Sequence, residues 1–364
     1  MEAYKQAGVD IDAKMRALDL MREAVATTHG PAALAGIGHF GGFFSLAEAD
    51  APPYQQVGSY HAPVLVSSAD SVGTKIKLAI LLDRHDTVGQ DIVNHCVNDI
   101  LVCGAFPLFF LDYIAVGKLN SEQVATVVGG LAKACREAGC ALVGGETAEL
   151  PGLYRVGDYD LAGFVVGMVE KECIINGAGV AEGDVALGLA SNGLHTNGYS
   201  LARRALGLDG DEAQARAILN QHYDELGGTL ADALLAAHRS YLPALRPILE
   251  AAASDTQAPQ IKALAHITGG GLVDNVPRVL PPAVAVQFEQ AAWEVPPIFK
   301  LIQQRGGVSA AEMYRVFNMG IGMVIIATPA DTARLRSELP EARVIGKVVK
   351  RAAADAPQVE IVES

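Results

Sequence analysis

The sequence predicts two domains of the α/β or mixed α+β class, and three observations lead to this prediction. The chain has 364 residues, which is more than one ordinary hydrophobic core serves and suits two domains. Hydrophobic residues make up 50% of the chain and charged residues 19%, so a large core can form and disorder is not expected. Apolar strand-like runs alternate with helical patterns in both halves, which is typical of these two classes.

The first half contains four predicted strands, which lie at 63–70, 107–117, 141–145 and 160–170. Apolar residues at helical spacing predict helices over 12–29 and 91–105, and Ser121 with Glu122 marks the start of a third helix over 121–138. The turn-rich stretch near 170–183 then predicts a boundary, which divides the chain into domains 1–172 and 173–364.

The second half again alternates strands with helices, which predicts a mixed sheet flanked by helices. The predicted strands are 185–191, 284–288, 319–328 and 341–351, the last of which closes the sheet. The predicted helices are 198–207, 229–252 and 297–305. Residues 261–272 predict a strand, a glycine turn and the start of a helix, whereas 254–259 predict a loop and 352–364 a frayed tail.

The composition narrows the classes of function. A formal net charge of −13 disfavours nucleic-acid binding, because a surface that binds a duplex needs clustered lysines and arginines. No uncharged apolar run reaches membrane-spanning length and no signal peptide is visible, so we expect a cytoplasmic protein without membrane contact. The five cysteines form no C-x-x-C pair, which disfavours a zinc or redox motif and predicts free thiols.

Three acidic residues, Asp70, Asp99 and Glu146, stand at junctions between apolar elements of the first half. One or two carboxylates combined with phosphate oxygens are what Mg²⁺ with a nucleotide needs. Lys75 follows Asp70 after a glycine and could neutralise phosphate charge. Local capping by the acids and a solvated lysine explain each residue equally well when it is taken alone, but the combination favours a site.

The stretch "SNGLHTNGYSLARRAL" at 191–206 combines two glycines with hydrogen-bonding side chains just before a predicted helix. The free amides at a helix N-terminus can bind an anion such as a phosphate. Ordinary capping by Asn197 explains this stretch about equally well. His195 is either a proton donor or a plain hydrogen-bonding residue, and the second role is the commoner one.

Two further glycine-rich stretches predict contact with a ligand. In "HITGGGLVDNVPRVLP" at 266–281, three consecutive glycines between a strand and a helix let a ligand approach the backbone closely. A tight connection that needs glycine for packing is the alternative. The stretch "GIGHFGGFF" at 36–44 precedes the first strand and does not fit a dinucleotide fingerprint, so it predicts a mobile flap or a surface loop without a role.

Six segments together resemble the aminoimidazole ribonucleotide synthetases, also called phosphoribosylformylglycinamidine cyclo-ligases. They occur in order as "DSVGTKIKLA", "VNDILVCGAFPLFFLDY", "GGETAELPG", "DLAGFVVGMVEK", "SNGLHTNGYSL" and "HITGGGLVDNVPRVLP". The resemblance runs from about residue 4 to residue 350. It implies ATP-dependent cyclisation of formylglycinamidine ribonucleotide to aminoimidazole ribonucleotide, ADP and phosphate in purine biosynthesis, by way of phosphorylation of the formyl amide oxygen.

The resemblance also implies roles for individual residues. Asp70, Asp99 and Glu146 look like Mg²⁺ ligands, and Asp70 and Lys75 look like catalytic residues, with Lys75 on an ATP phosphate. The remaining nucleotide contacts would be Gly38, Phe40, Gly41, Gly42, Asn98 and Thr147. Contacts with the ribonucleotide substrate, which rest on the chemistry of the motifs, would be Ser191, Gly193, Thr196, Asn197, Gly198, Thr268, Gly269 and Gly270. His195 would handle a proton.

The family fold implied by the resemblance is a four-stranded N-terminal sheet that pairs across a homodimer into a barrel. The apolar strand "LFFLDYIAV" supports this, because it needs burial on both faces. Two alternatives are another ATP-using member of the superfamily and a non-catalytic nucleotide-binding scaffold. His266 stands where formylglycinamidine ribonucleotide synthetase and selenophosphate synthetase carry an aspartate, which favours the cyclo-ligase.

Overall fold

The computed structural model describes residues 11–34, 42–46, 60–255 and 257–362. The chain forms two compact units. The first comprises Met1–Ile100 and Ala105–Glu172, and the second comprises Leu101–Gly104 and Cys173–Ser364. All five cysteines are free thiols. Among the described residues, no helix is long and apolar enough to cross a membrane.

The first unit is built on a four-stranded mixed sheet with the strand order β1-β4-β2-β3. Strands β2 and β3 are parallel, and the other two pairings are antiparallel. The strands are β1 (Pro63–Ser71), β2 (Phe106–Val116), β3 (Ala141–Glu149) and β4 (Tyr159–Glu170). The helices are α1 (Ile11–Ala26), α2 (Ile76–Leu82), α3 (Val88–Leu101) and α4 (Ser121–Ala138). A short 3₁₀ turn, Gly73–Lys75, links β1 to α2.

One face of this sheet is covered by α3 and α4. Phe110 and Val165 are fully buried on the covered face, as alternation along a half-buried strand requires. The two helices approach each other closely at Gly89, where a Cβ would lie 2.2 Å from the carbonyl oxygen of Val127. Only glycine permits this approach. It holds α3 close to α4 and thereby helps to fix the position of the polar side chains that α3 carries.

The second unit contains a six-stranded mixed sheet with the order β12-β9-β11-β5-β10-β8. Only the β12–β9 pairing in it is parallel. The strands are β5 (Val185–Ala190), β8 (Ala263–His266), β9 (Val284–Glu289), β10 (Ile321–Ala327), β11 (Arg343–Lys350) and β12 (Val359–Val362), while β6 (His222–Tyr223) and β7 (Gly228–Thr229) form a separate hairpin.

Eight described helices belong to the second unit and flank these strands, as the sequence predicts. They are α5 (Tyr199–Ala205), α6 (Glu212–Leu219), α7 (Leu230–Leu235), α8 (Leu242–Ser254), α9 (Gly271–Asn275), α10 (Pro297–Gly306), α11 (Ala310–Val316) and α12 (Pro329–Glu338). The helices predicted over 229–252 are α7 and α8. The break between them, 236–241, carries residues that matter for the site.

Two predictions about the end of the chain are wrong. Residues 352–364 are not all a frayed tail, since β12 pairs with β9. The edge of β9 offers backbone groups that another strand can pair with, and the four residues of β12 pair with them. For the same reason β11 does not close the sheet, but lies inside it between β9 and β5.

Candidate active site

A cluster of polar side chains in the first unit joins the end of β1 to one face of α3. Asp91, His95 and Asp99 follow one another at intervals of four residues, so they share a helical face. His95 Nε2 lies 2.9 Å from Asp70 Oδ2 and 3.7 Å from Asp99 Oδ2. Ser68 Oγ donates to Asp99 Oδ2 over 2.9 Å. Asp70 and Asp99 are therefore brought together, with His95 between them.

Electrostatics favour a charged imidazole between the two acids. Burial by itself would lower the pKa of His95, but the hydrogen bond with Asp70 and the charges of Asp99, Asp70 and Asp91 raise it above its ordinary value. Burial opposes ionisation of Asp70 as well, yet the hydrogen bond and charge of His95, with the Ser71 amide, hold the pKa of Asp70 below its ordinary value. His95 is thus placed to balance the negative charges of Asp70 and Asp99.

The donor set of Asp70 and Asp99 fits a magnesium ion. Carboxylate oxygens are the hard ligands that Mg²⁺ prefers, and one or two of them usually suffice when phosphate oxygens complete the shell. The two side chains keep 43% and 29% of their surface exposed, so their oxygens stay reachable from solvent. His95, at 2% exposed, is instead buried behind them.

Glu146 does not join these two aspartates within the described chain. Asp70, Gly163, Asp112 and Gly145 stand opposite one another in a row across the four strands, so they share one face of the sheet. Glu146 follows Gly145 along β3, which turns its side chain to the other face, and β3 and β1 are opposite edge strands. Within one chain, the structure therefore brings together two of the three predicted metal ligands, Asp70 and Asp99.

The same row contains an acid that the sequence analysis missed. Asp112 lies on β2 with only Gly163 between it and Asp70 in the pairing. Burial raises the pKa of Asp112 to about 7, the hydrogen bond from its own amide opposes this, and the negative charge of Glu146 adds to it. An acid in the middle of the apolar run "LFFLDYIAV" was the visible signal.

Lys75 lies in a buried ion pair. Its Nζ is 2.9 Å from the carboxylate of Asp91, and both side chains are fully buried. Burial lowers the pKa of Lys75, while the charge and hydrogen bond of Asp91 oppose that shift. The structure thus pairs Lys75 with a partner that the sequence analysis did not name, and it does not present the ammonium group on the surface for a phosphate. The pair ties the turn after β1 to the first turn of α3.

The other predicted nucleotide contacts are spread over the first unit. Gly38, Phe40 and Gly41 lie outside the described residues. Gly42 is exposed and packs against β3, where an added Cβ would come within 2.7 Å of the Val143 carbonyl oxygen. Asn98 is fully buried beside Asp99 on α3, and Thr147 is half-buried on β3.

The predicted substrate turn after β5 is built around Asn318, which the sequence analysis missed. Ser191 Oγ donates to Asn318 Oδ1, and Asn318 Nδ2 donates to the Gly193 carbonyl, each over 2.9 Å. Gly198 precedes α5 with a positive φ of 80°, and a Cβ there would lie 2.2 Å from the Phe317 ring. Asn318 is separated from Ser191 by 127 residues and from Gly193 by 125, so local spacing could not reveal these contacts.

The glycine turn after β8 lies against the first turn. Thr268 N donates to Asn275 Oδ1 over 2.8 Å, and Asn275 Nδ2 donates to the Gly269 carbonyl, so one buried amide shapes the turn. A Cβ on Gly269 would stand 3.4 Å from Asn197 Nδ2. The N-cap of α5 is Gly198, and the buried Asn197 Oδ1 accepts no hydrogen bond, so the alternative explanation of Asn197 as a helix cap is wrong. Gly270, with a φ of 102°, precedes α9.

His195 and Thr196 are both buried in the first of these turns. His195 has a φ of 62°, a left-handed conformation that is strained for any residue with a side chain. Its ring packs over Gly322, where a Cβ would lie 2.7 Å from His195 Cε1. Together with His238 and His266 it forms a group of three buried rings, called here the histidine cluster. His238 is a residue that the sequence analysis did not single out.

Comparison with known proteins settles the family. A family model described as "AIR synthase related protein, N-terminal domain" matches residues 59–169, and the corresponding C-terminal domain model matches residues 181–356. The chain belongs to the AIR synthase family. The resemblance predicted from the six segments is confirmed. The two matched domains fall one in each compact unit of this AIR synthase family member.

Curated members of the AIR synthase family are similar to the chain over nearly its whole length. Phosphoribosylformylglycinamidine cyclo-ligase of Desulfitobacterium hafniense is 49% identical over 340 residues, which cover 93% of each chain. The proteins of that name from Anaeromyxobacter dehalogenans and Geobacillus thermodenitrificans are 51% and 49% identical and cover 95% and 97% of both chains.

Solved structures show that the AIR synthase fold extends to distant proteins. Escherichia coli HypE has a TM-score of 0.62 at 19% identity, with 96% of this chain and 93% of that chain covered. Thiamine-monophosphate kinase from Stenotrophomonas maltophilia has a TM-score of 0.60 at 16% identity, with 95% of each covered. HypE in complex with ATP has a TM-score of 0.61 at 16% identity and covers 96% and 91%.

Proposed function

We propose that this chain catalyses the ATP-dependent closure of the imidazole ring of aminoimidazole ribonucleotide. The substrate is formylglycinamidine ribonucleotide, the other products are ADP and phosphate, and the reaction belongs to purine biosynthesis in the cytoplasm. One observation carries the proposal: curated relatives that share 49–51% of aligned residues, across both units, are named phosphoribosylformylglycinamidine cyclo-ligase.

Closing this ring requires that the formyl amide oxygen become a leaving group. An amide oxygen leaves poorly and phosphate leaves well, so the γ-phosphoryl group of ATP is transferred to that oxygen first. The amidine nitrogen then forms a bond to the formyl carbon, the carbon–oxygen bond breaks, phosphate leaves and the nitrogen gives up a proton. The protein has mainly to position these groups and to neutralise charge.

We assign the nucleotide to the first unit. Asp70 and Asp99 would hold Mg²⁺, which supplies charge neutralisation at phosphate oxygens when it is bound. His95 orients both carboxylates from behind, through its contacts of 2.9 and 3.7 Å. HypE, which has the same fold and was solved in complex with ATP, supports the assignment of a nucleotide-binding role to this fold. The flap at 36–44, Asn98 and Thr147 stay predicted nucleotide contacts.

In this proposal, Glu146 and Lys75 have roles that differ from the metal and phosphate contacts predicted from the sequence. Glu146 lies on the opposite face from Asp70, so a metal contact by Glu146 would require a different chain or a rearrangement. Lys75 supports the site through its buried pair with Asp91, one helical turn before His95. A buried pair of this kind fixes geometry, because breaking it leaves a charge without compensation.

We assign the ribonucleotide to the two adjoining turns of the second unit. Ser191–Gly198 and Thr268–Gly270 offer backbone amides, hydroxyls and the Asn197 amide, which suit the phosphate and hydroxyl groups of a ribose phosphate. His195 is the proposed acceptor for the proton that the attacking nitrogen releases. Its strained backbone supports a functional role, because strain of this kind concentrates at functional sites.

We also propose a homodimer that forms through the face of the first sheet opposite α3 and α4, which at β2 packs against Phe44. Leu65 on β1 and Phe164 on β4 are 61% and 43% exposed in the described chain, and both point away from the helices. Large apolar side chains exposed on a sheet face mark an interaction surface. A second copy of the same sheet would bury them and complete the barrel that the family resemblance implies.

A panel of acceptors tests the proposal against its alternatives. Purified protein is incubated with ATP and Mg²⁺, and ADP is measured with formylglycinamidine ribonucleotide, with thiamine monophosphate and with neither. We expect ADP release only with the ribonucleotide. Stimulation by thiamine monophosphate would favour a kinase of the same fold, and ATP binding without any acceptor-dependent ADP would favour a non-catalytic scaffold.

A further inference from the structure

The proposed function gives no role to His238, the ring of the histidine cluster that contacts both His195 and His266. His238 lies in the segment between α7 and α8 and is 1% exposed. Its ring stacks on His195, with centroids 4.0 Å apart and an interplanar angle of 23°. Its Nε2 lies 3.0 Å from His266 Nε2, and its Nδ1 lies 3.4 Å from Thr196 Oγ1. One side chain therefore contacts the first turn that we assign to the ribonucleotide and the end of β8, the strand that leads into the second turn.

A shared metal ion is not what this geometry favours. The ring nitrogens of the three histidines lie within 4.8 Å of one another, a spacing that first suggests a metal site. A metal ion binds an imidazole along the nitrogen lone pair, in the plane of the ring. The nearly parallel rings of His195 and His238 direct their lone pairs side by side instead of toward one point. Hydrogen bonding and stacking therefore explain the cluster better.

The hydrogen bonds of His238 tie the proton positions of its neighbours together. Two ring nitrogens 3.0 Å apart need one donor and one acceptor. If the Thr196 hydroxyl donates to Nδ1 of a neutral His238, then Nε2–H of His238 donates to His266, and His266 carries its own proton on Nδ1. If the direction of these hydrogen bonds is reversed, His266 carries its proton on Nε2 instead. The tautomer of His266 is thus coupled to Thr196 through His238.

The stacking contact with His238 also positions the ring of His195. His195 holds a left-handed backbone conformation, which persists only where the surroundings enforce it. On one side, Gly322 leaves room for its ring, since a Cβ there would come within 2.7 Å of Cε1. On another side, the face of His238 covers it. His238 and Gly322 thereby confine the imidazole of His195.

We propose that His238 is a positioning residue of the ribonucleotide site. Its stack holds the imidazole of His195, and its two hydrogen bonds constrain the tautomer of His266 and tie the first turn to the end of β8. This inference rests on the assignment of the ribonucleotide to the second unit under the proposed function. It predicts that changes at His238 act on the ribonucleotide and leave ATP binding unaffected.

Two variants separate the hydrogen bonds from the stack. His238→Phe keeps an aromatic face toward His195 and removes both hydrogen bonds, whereas His238→Gln can keep a polar contact with His266 and loses the stack. We expect His238→Phe to raise the KM for formylglycinamidine ribonucleotide about tenfold, the size of one lost hydrogen bond, with the KM for ATP unchanged. His238→Gln should recover part of this loss. His222→Phe, an exposed histidine of the same unit, is the matched control.

A second readout does not depend on turnover. Nitrogen-15 spectra of the histidine side chains in full-length protein report which ring nitrogen of His266 carries the proton. We expect one tautomer of His266 in the wild type and a changed nitrogen shift in His238→Phe, with no change in His222→Phe. Unchanged His266 signals, or a wild-type ribonucleotide KM in His238→Phe, would overturn the inference. A wild-type protein that forms no product refutes the proposed function instead, and the His266 signals still decide whether His238 sets the tautomer.

Discussion

His95 on α3 and Asp70 at the end of β1 are joined by a 2.9 Å contact between Nε2 and Oδ2. This contact fixes the carboxylate that we assign to magnesium, and the same nitrogen lies 3.7 Å from Asp99. Two acids so close together would repel each other without a cation. His95 lies between them; burial lowers its pKa, but the hydrogen bond with Asp70 and the charges of the acids raise the pKa above its ordinary value, which favours the charged ring.

Replacing His95 tests this arrangement. His95→Asn removes the imidazole and frees Asp70 and Asp99 to separate, so we expect the Mg²⁺ concentration for half-maximal activity to rise about 10- to 100-fold, as for partners that orient metal ligands. Magnesium titration of product formation measures it. His61→Asn, an exposed histidine of the same unit, should behave as wild type. Equal magnesium requirements in the two variants would contradict the role of His95.

Asp70→Asn and Asp99→Asn test the metal ligands themselves. Each change keeps the shape of the side chain and removes the negative charge that Mg²⁺ needs, so we expect kcat to fall by about 100-fold or more. Steady-state kinetics with saturating ATP measure it, and circular dichroism confirms folding. Glu137→Gln, on the exposed surface of α4, is the charge-matched control. Near-normal kcat in both aspartate variants would refute the assignment.

Lys75 and Asp91 form a fully buried ion pair, so removing one partner should be costly. We expect Lys75→Met to lower the free energy of unfolding by about 3–5 kcal/mol, because it removes the cation paired with the buried carboxylate of Asp91. The double variant with Asp91→Leu should recover most of the loss. Denaturant unfolding measures both.

The ATP affinity of that double variant decides between two roles of Lys75. Retained affinity assigns the lysine to structure, in line with its burial. A folded double variant that no longer binds ATP would restore the phosphate contact that the sequence suggested. Stability of Lys75→Met equal to that of wild type would show that the pair contributes nothing.

The raised pKa of Asp112 predicts how the folding stability of the protein changes with pH. Its pKa of about 7 in the folded state lies above the value of about 4 expected when unfolded, so folding favours the protonated acid. Stability from this group is therefore greatest at low pH and is lost between about pH 4 and 7. We expect Asp112→Asn to raise the melting temperature by a few degrees more at pH 8 than at pH 5, measured by calorimetry. An equal shift at both pH values would contradict the raised pKa.

The exposed apolar side chains of Leu65 and Phe164, on the sheet face opposite α3 and α4, predict that the protein is a dimer. Phe164→Asp places a charge in the centre of the proposed dimer interface, so we expect a dimeric wild type and a monomeric variant. Light scattering after size-exclusion chromatography measures the mass. Leu153→Asp, at a position 74% exposed outside the sheet, is the control and should stay dimeric. A monomeric wild type would refute the interface.

The strands of the first unit could be predicted closely because apolar alternation bounded by turns is a local signal. β1, predicted over 63–70, spans Pro63–Ser71. β12 could not be predicted in this way, since a four-residue stretch becomes a strand only when the edge of β9 pairs with it.

The site was predicted in part, and the misses have physical reasons. The spacing of Asp91, His95 and Asp99 was visible in "DIVNHCVND", but a histidine among apolar residues has many explanations. The partner of Lys75 depends on tertiary packing that spacing alone does not specify. Glu146 was grouped with the aspartates because it also follows an apolar run, whereas side-chain alternation places it on the other face.

The most direct test of the central claim follows aminoimidazole ribonucleotide and ADP together in one reaction. Purified protein is mixed with ATP, Mg²⁺ and formylglycinamidine ribonucleotide, and both products are quantified over time. We expect the two products to accumulate in equal amounts and neither to form when the ribonucleotide is omitted. ADP that accumulates without aminoimidazole ribonucleotide, or the absence of both, would contradict this expectation.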